Sequence, residues 1–149
     1  MLFRSDEFII ARAGIPIPEI FRQLSEEGFR QAERDALSEL SAAPEKMVIA
    51  TGGGAPCFFD NMERMNDTGI TIYVDVPLKE LCRRLDAGKK SRPLLADANA
   101  ETLEARMKRL DKTRRPFYSR AAYSIRGASL MAEDLVQLLE FSTGAEGPA

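Results

Sequence analysis

The spacing of apolar residues along the chain has two periods, and each predicts a different kind of element. Residues 47–50 and 70–74 are short apolar runs rich in β-branched residues, which predict two strands, the first of them buried. Residues 29–40 and 78–85 carry apolar side chains at steps of three and four, which predicts two amphipathic helices. Because strands and helices alternate, the chain is predicted to be an α/β protein with a parallel sheet and right-handed crossovers.

The two ends of the chain predict further elements. A strand followed at once by a carboxylate opens the chain, and this abrupt entry predicts that the first residues are the cut end of a longer domain. No repeat or internal boundary is visible, so residues 1–149 are predicted to form one domain. The additional predicted elements are strands at 2–5 and 123–126, helices at 7–13, 60–66, 101–113 and 131–141, a mobile excursion at 87–100 and a flexible tail at 142–149.

Composition excludes several classes of partner. The chain has 21 basic and 23 acidic side chains, so no overall excess of charge favours nucleic acid or an anionic membrane. No apolar stretch approaches the roughly 20 residues of a membrane span, and the first residues lack the layout of a signal peptide. The chain is therefore predicted to be cytoplasmic, and any anion site in it must be local.

The titratable residues limit the chemistry. The absence of histidine removes the commonest general base and metal ligand, so catalysis would depend on carboxylates, arginines and a supplied cofactor. Cys57 and Cys82 are too few for a disulfide framework, and both are predicted to be small buried residues. Asp75 ends an apolar strand just before Pro77, and this position favours a helix-start role over a metal-ligand role.

A glycine loop and an arginine–glutamate pair are the first candidates for a binding site. The strand at 47–50 leads into Gly52, Gly53 and Gly54, whose backbone can approach a ligand without an intervening side chain. Arg30 and Glu33 lie three residues apart on a helix, so the carboxylate can hold the guanidinium in one orientation. The same spacing is also typical of an ordinary surface ion pair.

Two further arginines and an aspartate complete the candidate set. Arg114 continues the apolar stripe of its helix, so it either extends from the helix end into solvent or points into a cleft at an anion. Arg92 lies on the excursion, and Asp6 could accept hydrogen bonds from a polyol. Because guanidinium groups bind carboxylates and phosphates in two-pronged fashion, the set predicts a site for a small, acidic, hydroxylated molecule near the strand ends.

Five short motifs follow one another in order from Asp6 to Tyr118, within a resemblance that covers the chain from Asp6 to about Leu139. They are Asp6…Gly14 with Ile17…Ile20-Phe21, Glu27-Gly28-Phe29-Arg30…Glu33, Thr51-Gly52-Gly53-Gly54, Arg92-Pro93-Leu94-Leu95 and Arg114-Arg115-Pro116-Phe117-Tyr118. Each motif alone is weak, but in this order they make the chain resemble the shikimate kinase family. Residues 54–63 resemble one bacterial branch of that family in particular.

The resemblance implies a fold and a reaction. The fold is a three-layer P-loop kinase-like α/β fold. The reaction is transfer of the γ-phosphoryl group of ATP, with Mg²⁺, to the 3-hydroxyl of shikimate, a step in aromatic amino-acid biosynthesis. Shikimate and ATP would be the small-molecule partners of a monomer, with substrate-binding helices at about 6–41 and a lid at about 88–100.

The resemblance also implies a role for each candidate residue. Asp6 would contact the ring hydroxyls and act as the catalytic base, and Gly52 to Gly54 would line the ring, with Gly53 as the direct contact. Arg30 and Arg114 would bind the shikimate carboxylate, and Glu33 would orient Arg30. Arg92 would be the lid arginine, which closes over the nucleotide phosphates and stabilises charge in the transition state.

Two departures from the family pattern affect catalysis. Family members open with a strand and a glycine-rich loop that ends in Gly-Lys-Ser or Gly-Lys-Thr, and these 149 residues contain no such motif. Family members also have Asp-x-Asp where this chain has Arg4-Ser5-Asp6, so a cation replaces a residue that helps to hold Mg²⁺. We therefore expect an N-terminally truncated domain without its first strand and phosphate loop, and negligible kinase activity from these residues alone.

Two alternatives to a truncated kinase stay open at this point. One is a non-catalytic shikimate-binding or regulatory protein that keeps the acid pocket but has no nucleotide site. The other is a different small-molecule kinase of the same fold, such as a gluconate kinase, although the paired arginines and the glycine triplet argue against it.

Overall fold

The computed structural model describes residues 2–87 and 102–143, which form two compact units. The first unit is Met1–Thr71 with Pro116–Ala122, and the second is Ile72–Arg115 with Tyr123–Ala149. The lid predicted at 88–100, with Arg92, lies outside the described residues, as does the predicted tail beyond residue 143. The prediction of a single domain stays a prediction.

The first unit has two parallel strands and three helices. Strands β1 and β2 pair in parallel, with Phe3 opposite Ile49, which confirms the predicted parallel pairing. The elements in chain order are β1 (Leu2–Arg4), α1 (Ser5–Ala13), α2 (Ile17–Ala42), β2 (Val48–Ala50), a 3₁₀ turn (Ala55–Cys57) and α3 (Asn61–Thr68).

Local chemistry explains where the first helices end and bend. Helix α1 ends at Gly14, whose φ of 70° is the left-handed conformation that glycine adopts without strain. Helix α2 includes the predicted helix at 29–40 and begins at Ile17, within the substrate-binding helices predicted at about 6–41, and its backbone is non-helical only at Ser25 (φ 63°, ψ 179°). Ser25 therefore marks a sharp kink at a conformation that is costly for a residue with a Cβ atom.

The core of the first unit lies between α1 and α2. Ile9 from α1 and Ile20, Phe29 and Ala36 from α2 are buried together, and the rings of Phe21 and Phe29 lie 4.4 Å apart. The apolar spacing predicted this face of α2, and the structure confirms it.

Two burial predictions for the first unit were wrong. Strand β2 was predicted to be buried, yet the side chain of Val48 is 66% exposed, as is that of its partner Leu2 at 67%. The two side chains lie opposite each other on one face of the strand pair, and both are largely exposed. The cysteine prediction also fails, since Cys57 here and Cys82 in the second unit are only partly buried.

The second unit also contains a parallel strand pair. Strands β3 and β4 pair with Val74 opposite Ile125. Helix α5 continues past its predicted end at residue 113 and ends at Tyr118, and its last three residues belong to the first unit; a proline in the last turn removes few helical hydrogen bonds. The elements are β3 (Ile72–Asp75), α4 (Leu78–Ala87), α5 (Leu103–Tyr118), β4 (Tyr123–Arg126) and α6 (Ala132–Thr143). Among the described residues, no helix combines the length and the hydropathy needed to cross a bilayer.

Candidate functional site

The carboxyl ends of β1 and β2 bring the start of α1 next to the glycine loop. Arg4 and Ala50 are opposite each other at the ends of the two parallel strands, so the chain leaves both strands at the same edge. The amide of Gly52 donates a hydrogen bond of 3.1 Å to the hydroxyl of Ser5, which is only 1% exposed. This buried contact connects the glycine loop to the first turn of α1.

The glycine loop is held by its own backbone and by one tyrosine. The amide of Ala55 donates to the Gly52 carbonyl at 3.0 Å, and that of Cys57 donates to the Gly54 carbonyl at 2.9 Å. The hydroxyl of Tyr118 donates to the carbonyl of Gly53 at 2.5 Å. The loop therefore has a defined conformation, and the residue between the two backbone bonds, Gly53, is exposed.

Glycine in this loop leaves room for an ion pair that packs against the backbone. A Cβ atom built on Gly54 would lie 2.4 Å from Nη1 of Arg30, and one built on Gly52 would lie 3.1 Å from Oε1 of Glu33. The first distance is too short for any contact between these atoms, and the second is tight. The sequence predicted that the loop backbone approaches something closely, and in the structure its neighbour is the Arg30–Glu33 pair.

Arg30 and Glu33 form a buried ion pair on α2. Nη1 of Arg30 donates to Glu33 at 2.6 Å, and the two side chains are 12% and 5% exposed. The alternative of an ordinary surface pair is therefore wrong, because Glu33 lies on the face of α2 that packs against the core and the glycine loop. Removing water from both charges strengthens the pair and fixes the plane of the guanidinium.

The remaining contacts of Arg30 leave it some capacity to bind. Nη2 donates to Glu26 at 3.2 Å, but Glu26 is 65% exposed, so water weakens this pair. The Cζ atom lies 4.2 Å from the centre of the Phe58 ring. Nε is buried and has no hydrogen-bond partner among the described residues. The Nη2 group of Arg30 is thus held only by an exposed carboxylate, which the carboxylate of a ligand can displace.

Asp6 lies in the first turn of α1 and is partly exposed. Its carboxylate lies 3.2 Å from Nη2 of Arg4 and accepts the amide of Glu7 at 3.1 Å. Nε of Arg4 also lies 3.5 Å from the carboxylate of Glu7. A side chain that is 35% exposed can still accept hydrogen bonds from a hydroxylated ligand.

These contacts also test whether the described residues fit a magnesium ion. Mg²⁺ is usually held by carboxylates together with water. Here a guanidinium already contacts both carboxylates at the start of α1. Residues 2–87 and 102–143 contain no group of three or more side chains suited to a metal ion. The described residues do not fit Mg²⁺ by themselves.

Arg114 lies in the second unit, on α5, and is partly buried. In the part of the chain that the structure describes, it forms no hydrogen bond or ion pair. Its neighbour Arg115 differs, since it pairs with Asp75 and Asp111. Arg115 therefore stabilises the fold through its ion pairs. The ligand-binding role of Arg114 stays a prediction.

The carboxylate of Asp75 belongs to a separate cluster in the second unit. It is 7% exposed, accepts two hydrogen bonds of 3.3 Å from Arg115, and accepts a third from the hydroxyl of Tyr73 at 3.2 Å. Burial raises the pKa of Asp75, but the hydrogen bonds and charge of Arg115 outweigh burial and lower it overall. The sequence predicted a helix-start role for Asp75, whereas the structure places its carboxylate against an arginine.

Three residues near the candidate site were not found by sequence reasoning. Ser5 and Tyr118 contact the glycine loop from 47 and 65 residues away along the chain, and Phe58 stacks on Arg30. No local pattern marks such residues, because their contacts form only when distant segments meet. The predicted residues Arg30, Glu33, Gly52 and Gly54 are in contact, whereas the structure shows no direct contact of Asp6 with them.

Comparison with known proteins gives a consistent family. The family model for shikimate kinase matches residues 2–141. The chain is 41% identical to a shikimate kinase of Parabacteroides distasonis over 128 residues, which is 86% of this chain and 73% of that protein. It is 42% identical to one of Phocaeicola vulgatus over 132 residues, 89% of this chain and 75% of that protein.

Solved structures agree in fold. A crystal structure of shikimate kinase from Bacteroides thetaiotaomicron is similar with a TM-score of 0.85 and 37% identity, and covers 97% of this chain and 84% of the other. The shikimate kinase of Acinetobacter baumannii in complex with shikimate gives a TM-score of 0.81 at 34% identity, covering 99% of this chain and 80% of the other. These similarities confirm the predicted P-loop kinase-like fold.

Proposed function

Because this chain belongs to the shikimate kinase family, we propose that its first unit binds shikimate through Arg30, in the transfer of a phosphoryl group from ATP to the 3-hydroxyl. The observation that supports this most directly is the buried Arg30–Glu33 pair against the glycine loop. A related protein that was solved with shikimate belongs to the same family.

In this proposal the candidate residues of the first unit have different roles. Arg30 binds the carboxylate of shikimate, and Glu33 holds the guanidinium in the required plane. Gly52, Gly53 and Gly54 line the ring, with the exposed Gly53 as the closest contact. Asp6 accepts hydrogen bonds from the ring hydroxyls and takes the proton of the reacting hydroxyl.

Two arginines complete the proposal from outside the first unit. We propose that Arg114 binds the carboxylate as a second cation, supported by the lack of any ion pair of Arg114 among the described residues. Arg92, which lies outside those residues, is proposed to bind the nucleotide phosphates and stabilise the transferring group. We further propose a monomer that acts in the cytoplasm.

ATP and Mg²⁺ are proposed as cofactors because the chain belongs to this family. ATP would supply the phosphoryl group, and Mg²⁺ would neutralise its charge. Since the described residues do not fit Mg²⁺ and the 149 residues contain no Gly-Lys-Ser or Gly-Lys-Thr motif, we expect little turnover when these residues are assayed alone. The same two observations favour a second candidate function, a shikimate-binding protein without kinase activity.

The first experiment measures binding of shikimate to the 149-residue chain by calorimetry. The control ligand is the methyl ester of shikimate, which keeps the ring and the hydroxyls but lacks the negative charge of the carboxylate. We expect binding of shikimate and at least about 10-fold weaker binding of the ester, because a charge-assisted hydrogen bond contributes about 1.5–3 kcal/mol. Equal affinity for the two ligands, or no binding, would overturn the proposal.

A second experiment separates the two candidate functions. The chain is incubated with ATP, Mg²⁺ and shikimate, and phosphorylated shikimate is measured by ³¹P NMR. Shikimate binding with product favours the kinase. Shikimate binding without product, together with no calorimetric binding of ATP, favours the binding protein.

A further inference from the structure

Two consecutive phenylalanines after the glycine loop each lie over an arginine of α2. The Cζ atom of Arg30 is 4.2 Å from the centre of the Phe58 ring, and that of Arg34 is 5.3 Å from the centre of the Phe59 ring. Phe59 has a φ of 51°, which is an uncommon backbone conformation for an aromatic residue. The motifs that point to the family assign no role to either ring.

The two stacks differ in their surroundings. Phe58 is partly buried, and the guanidinium beneath it is 12% exposed. Phe59 is 54% exposed, and Arg34 is 36% exposed and pairs with Asp60 at 3.1 Å. A cation over a ring is stabilised more when water is excluded, so the Phe58 contact is the stronger of the two.

The backbone on both sides of Phe58 is anchored. The 3₁₀ turn Ala55–Cys57 precedes it, and the fully buried Asn61 donates to the carbonyl of Ala55 at 2.9 Å. Hydrogen bonds within residues 55–61 thus hold the segment that carries Phe58. The ring can therefore act as a fixed surface for the flexible side chain of Arg30.

We propose that Phe58 is a positioning residue that holds the guanidinium of Arg30 in the orientation required for binding an acid. Glu33 and Glu26 accept hydrogen bonds from Nη1 and Nη2, which are donated in the plane of the guanidinium. The ring of Phe58 covers one face of the plane, and the backbone of Gly54 lies close to Nη1. This inference rests on the proposed function, in which Arg30 binds the carboxylate of shikimate.

The test compares Phe58→Leu with the matched control Phe59→Leu. Each variant removes the aromatic ring that lies over one arginine and leaves an apolar side chain of similar size. For Phe58→Leu we expect shikimate binding about 10-fold weaker by calorimetry, because a desolvated cation–ring contact is worth roughly that factor. Phe59→Leu is expected to change affinity less than about twofold, because its stack is exposed. Equal effects of the two variants would overturn the proposal.

A second readout follows Arg30 directly and tests its contact with the Phe58 ring. The Nε–Hε resonance of Arg30 is recorded by ¹⁵N NMR and assigned with Arg30→Lys. Removal of the Phe58 ring should shift this resonance, because nuclei above a ring are shielded, whereas Phe59→Leu should leave it in place. Phe58→Tyr, which keeps a ring, should restore both the resonance and the affinity.

The outcomes of the two readouts are distinguishable. If the unaltered chain does not bind shikimate, the proposed function is wrong, and the Arg30 resonance still decides whether Phe58 holds the guanidinium. If Phe58→Leu leaves that resonance unchanged, or if Phe58→Tyr fails to restore affinity, the positioning role is overturned. A weaker affinity together with a shifted resonance and rescue by tyrosine supports it.

Discussion

Arg30 in the first unit and Arg115 in the second are each held by carboxylates beside an aromatic ring, yet the chain uses them differently. All three nitrogens of Arg115 donate to Asp75 or Asp111. Arg30 donates through Nη1 and Nη2, and its Nε has no partner among the described residues. An arginine whose three nitrogens all donate to carboxylates of its own unit stabilises the fold. An arginine whose Nη2 is held only by an exposed carboxylate, beside a bare backbone loop, is suited to a ligand.

The electrostatic surroundings separate the two arginines further. Arg115 faces two aspartates, and its pKa is raised mainly by the hydrogen bonds to Asp111 and Asp75. Arg30 has one buried partner, Glu33, and one exposed partner, Glu26. Only one carboxylate, that of the buried Glu33, therefore compensates the charge of Arg30 strongly. The carboxylate of a ligand can take the place of the exposed Glu26.

The largest expected effect is that of Arg30→Met, with Arg115→Met as its counterpart. Removing Arg30 should weaken shikimate binding by about 100-fold or more, and should destabilise the chain by about 3 kcal/mol because Glu33 is left buried without its main partner. Arg115→Met should lower stability but leave affinity nearly unchanged. Calorimetry and thermal unfolding measure the two effects.

A double variant separates binding from stability at Arg30. In Arg30→Met/Glu33→Met no charge is left buried, so stability should recover while shikimate binding stays lost. The comparison between the two arginines fails if the double variant binds shikimate, or if Arg115→Met loses affinity as strongly as Arg30→Met.

The next largest effect is expected at the glycine loop. In Gly54→Ala the new methyl group would lie 2.4 Å from Nη1 of Arg30, so the guanidinium must move. Because the end of a flexible side chain can shift cheaply, we expect a stability loss of about 1 kcal/mol or less, and shikimate binding about 10-fold weaker. Gly52→Ala, with 3.1 Å to Glu33, should have a smaller effect on affinity. Unchanged affinity in both variants would show that the loop does not constrain Arg30.

The Asp75 cluster should respond to pH rather than to shikimate. The pKa of Asp75 in the folded chain lies below its ordinary value of 3.8. Its ionised form therefore stabilises the chain above pH 3.8, and this contribution is lost as the pH falls through the lower folded-state pKa. Asp75→Asn should cost about 1–2 kcal/mol at pH 7 and nearly nothing near the folded-state pKa and below.

Thermal unfolding at pH 7, and again near the folded-state pKa of Asp75, measures how the stability cost of Asp75→Asn depends on pH. Asp111→Asn is the matched control, and its effect at pH 7 should be smaller because the side chain of Asp111 is 41% exposed. A cost of Asp75→Asn that is the same at both pH values would contradict the assignment of its stabilising role to the ionised carboxylate.

The smallest expected effect is a gain of affinity in Glu26→Gln. The exposed carboxylate of Glu26 pairs with Nη2 of Arg30 at 3.2 Å and would compete with the carboxylate of shikimate. Removing its charge should tighten binding by about two- to fivefold, since exposed ion pairs contribute about 0.2–1 kcal/mol. Glu27→Gln is the control, because it removes a neighbouring charge that forms no ion pair with Arg30 among the described residues. Weaker binding by Glu26→Gln would show that Glu26 helps to hold Arg30 instead of competing with the ligand.

Much of this protein could be predicted from local patterns in its sequence. Apolar spacing predicted the face of α2 that carries Phe29 and Ala36, Gly14 predicted the end of α1, and the order of strands and helices predicted parallel pairing. The motif order predicted the family. These features depend on residues close in sequence, whose helical or extended preferences act before any long-range contact forms.

Only the tertiary structure decided which charged residues are buried and what they contact. The spacing of Arg30 and Glu33 is equally compatible with a surface pair, and the burial of that pair depends on a glycine loop more than 15 residues away in the chain. The contacts of Ser5, Phe58 and Tyr118, and the pairing of Asp75 with Arg115, likewise join distant segments. The free energy of a charge depends on the water and the countercharges around it, and a linear sequence does not specify those surroundings.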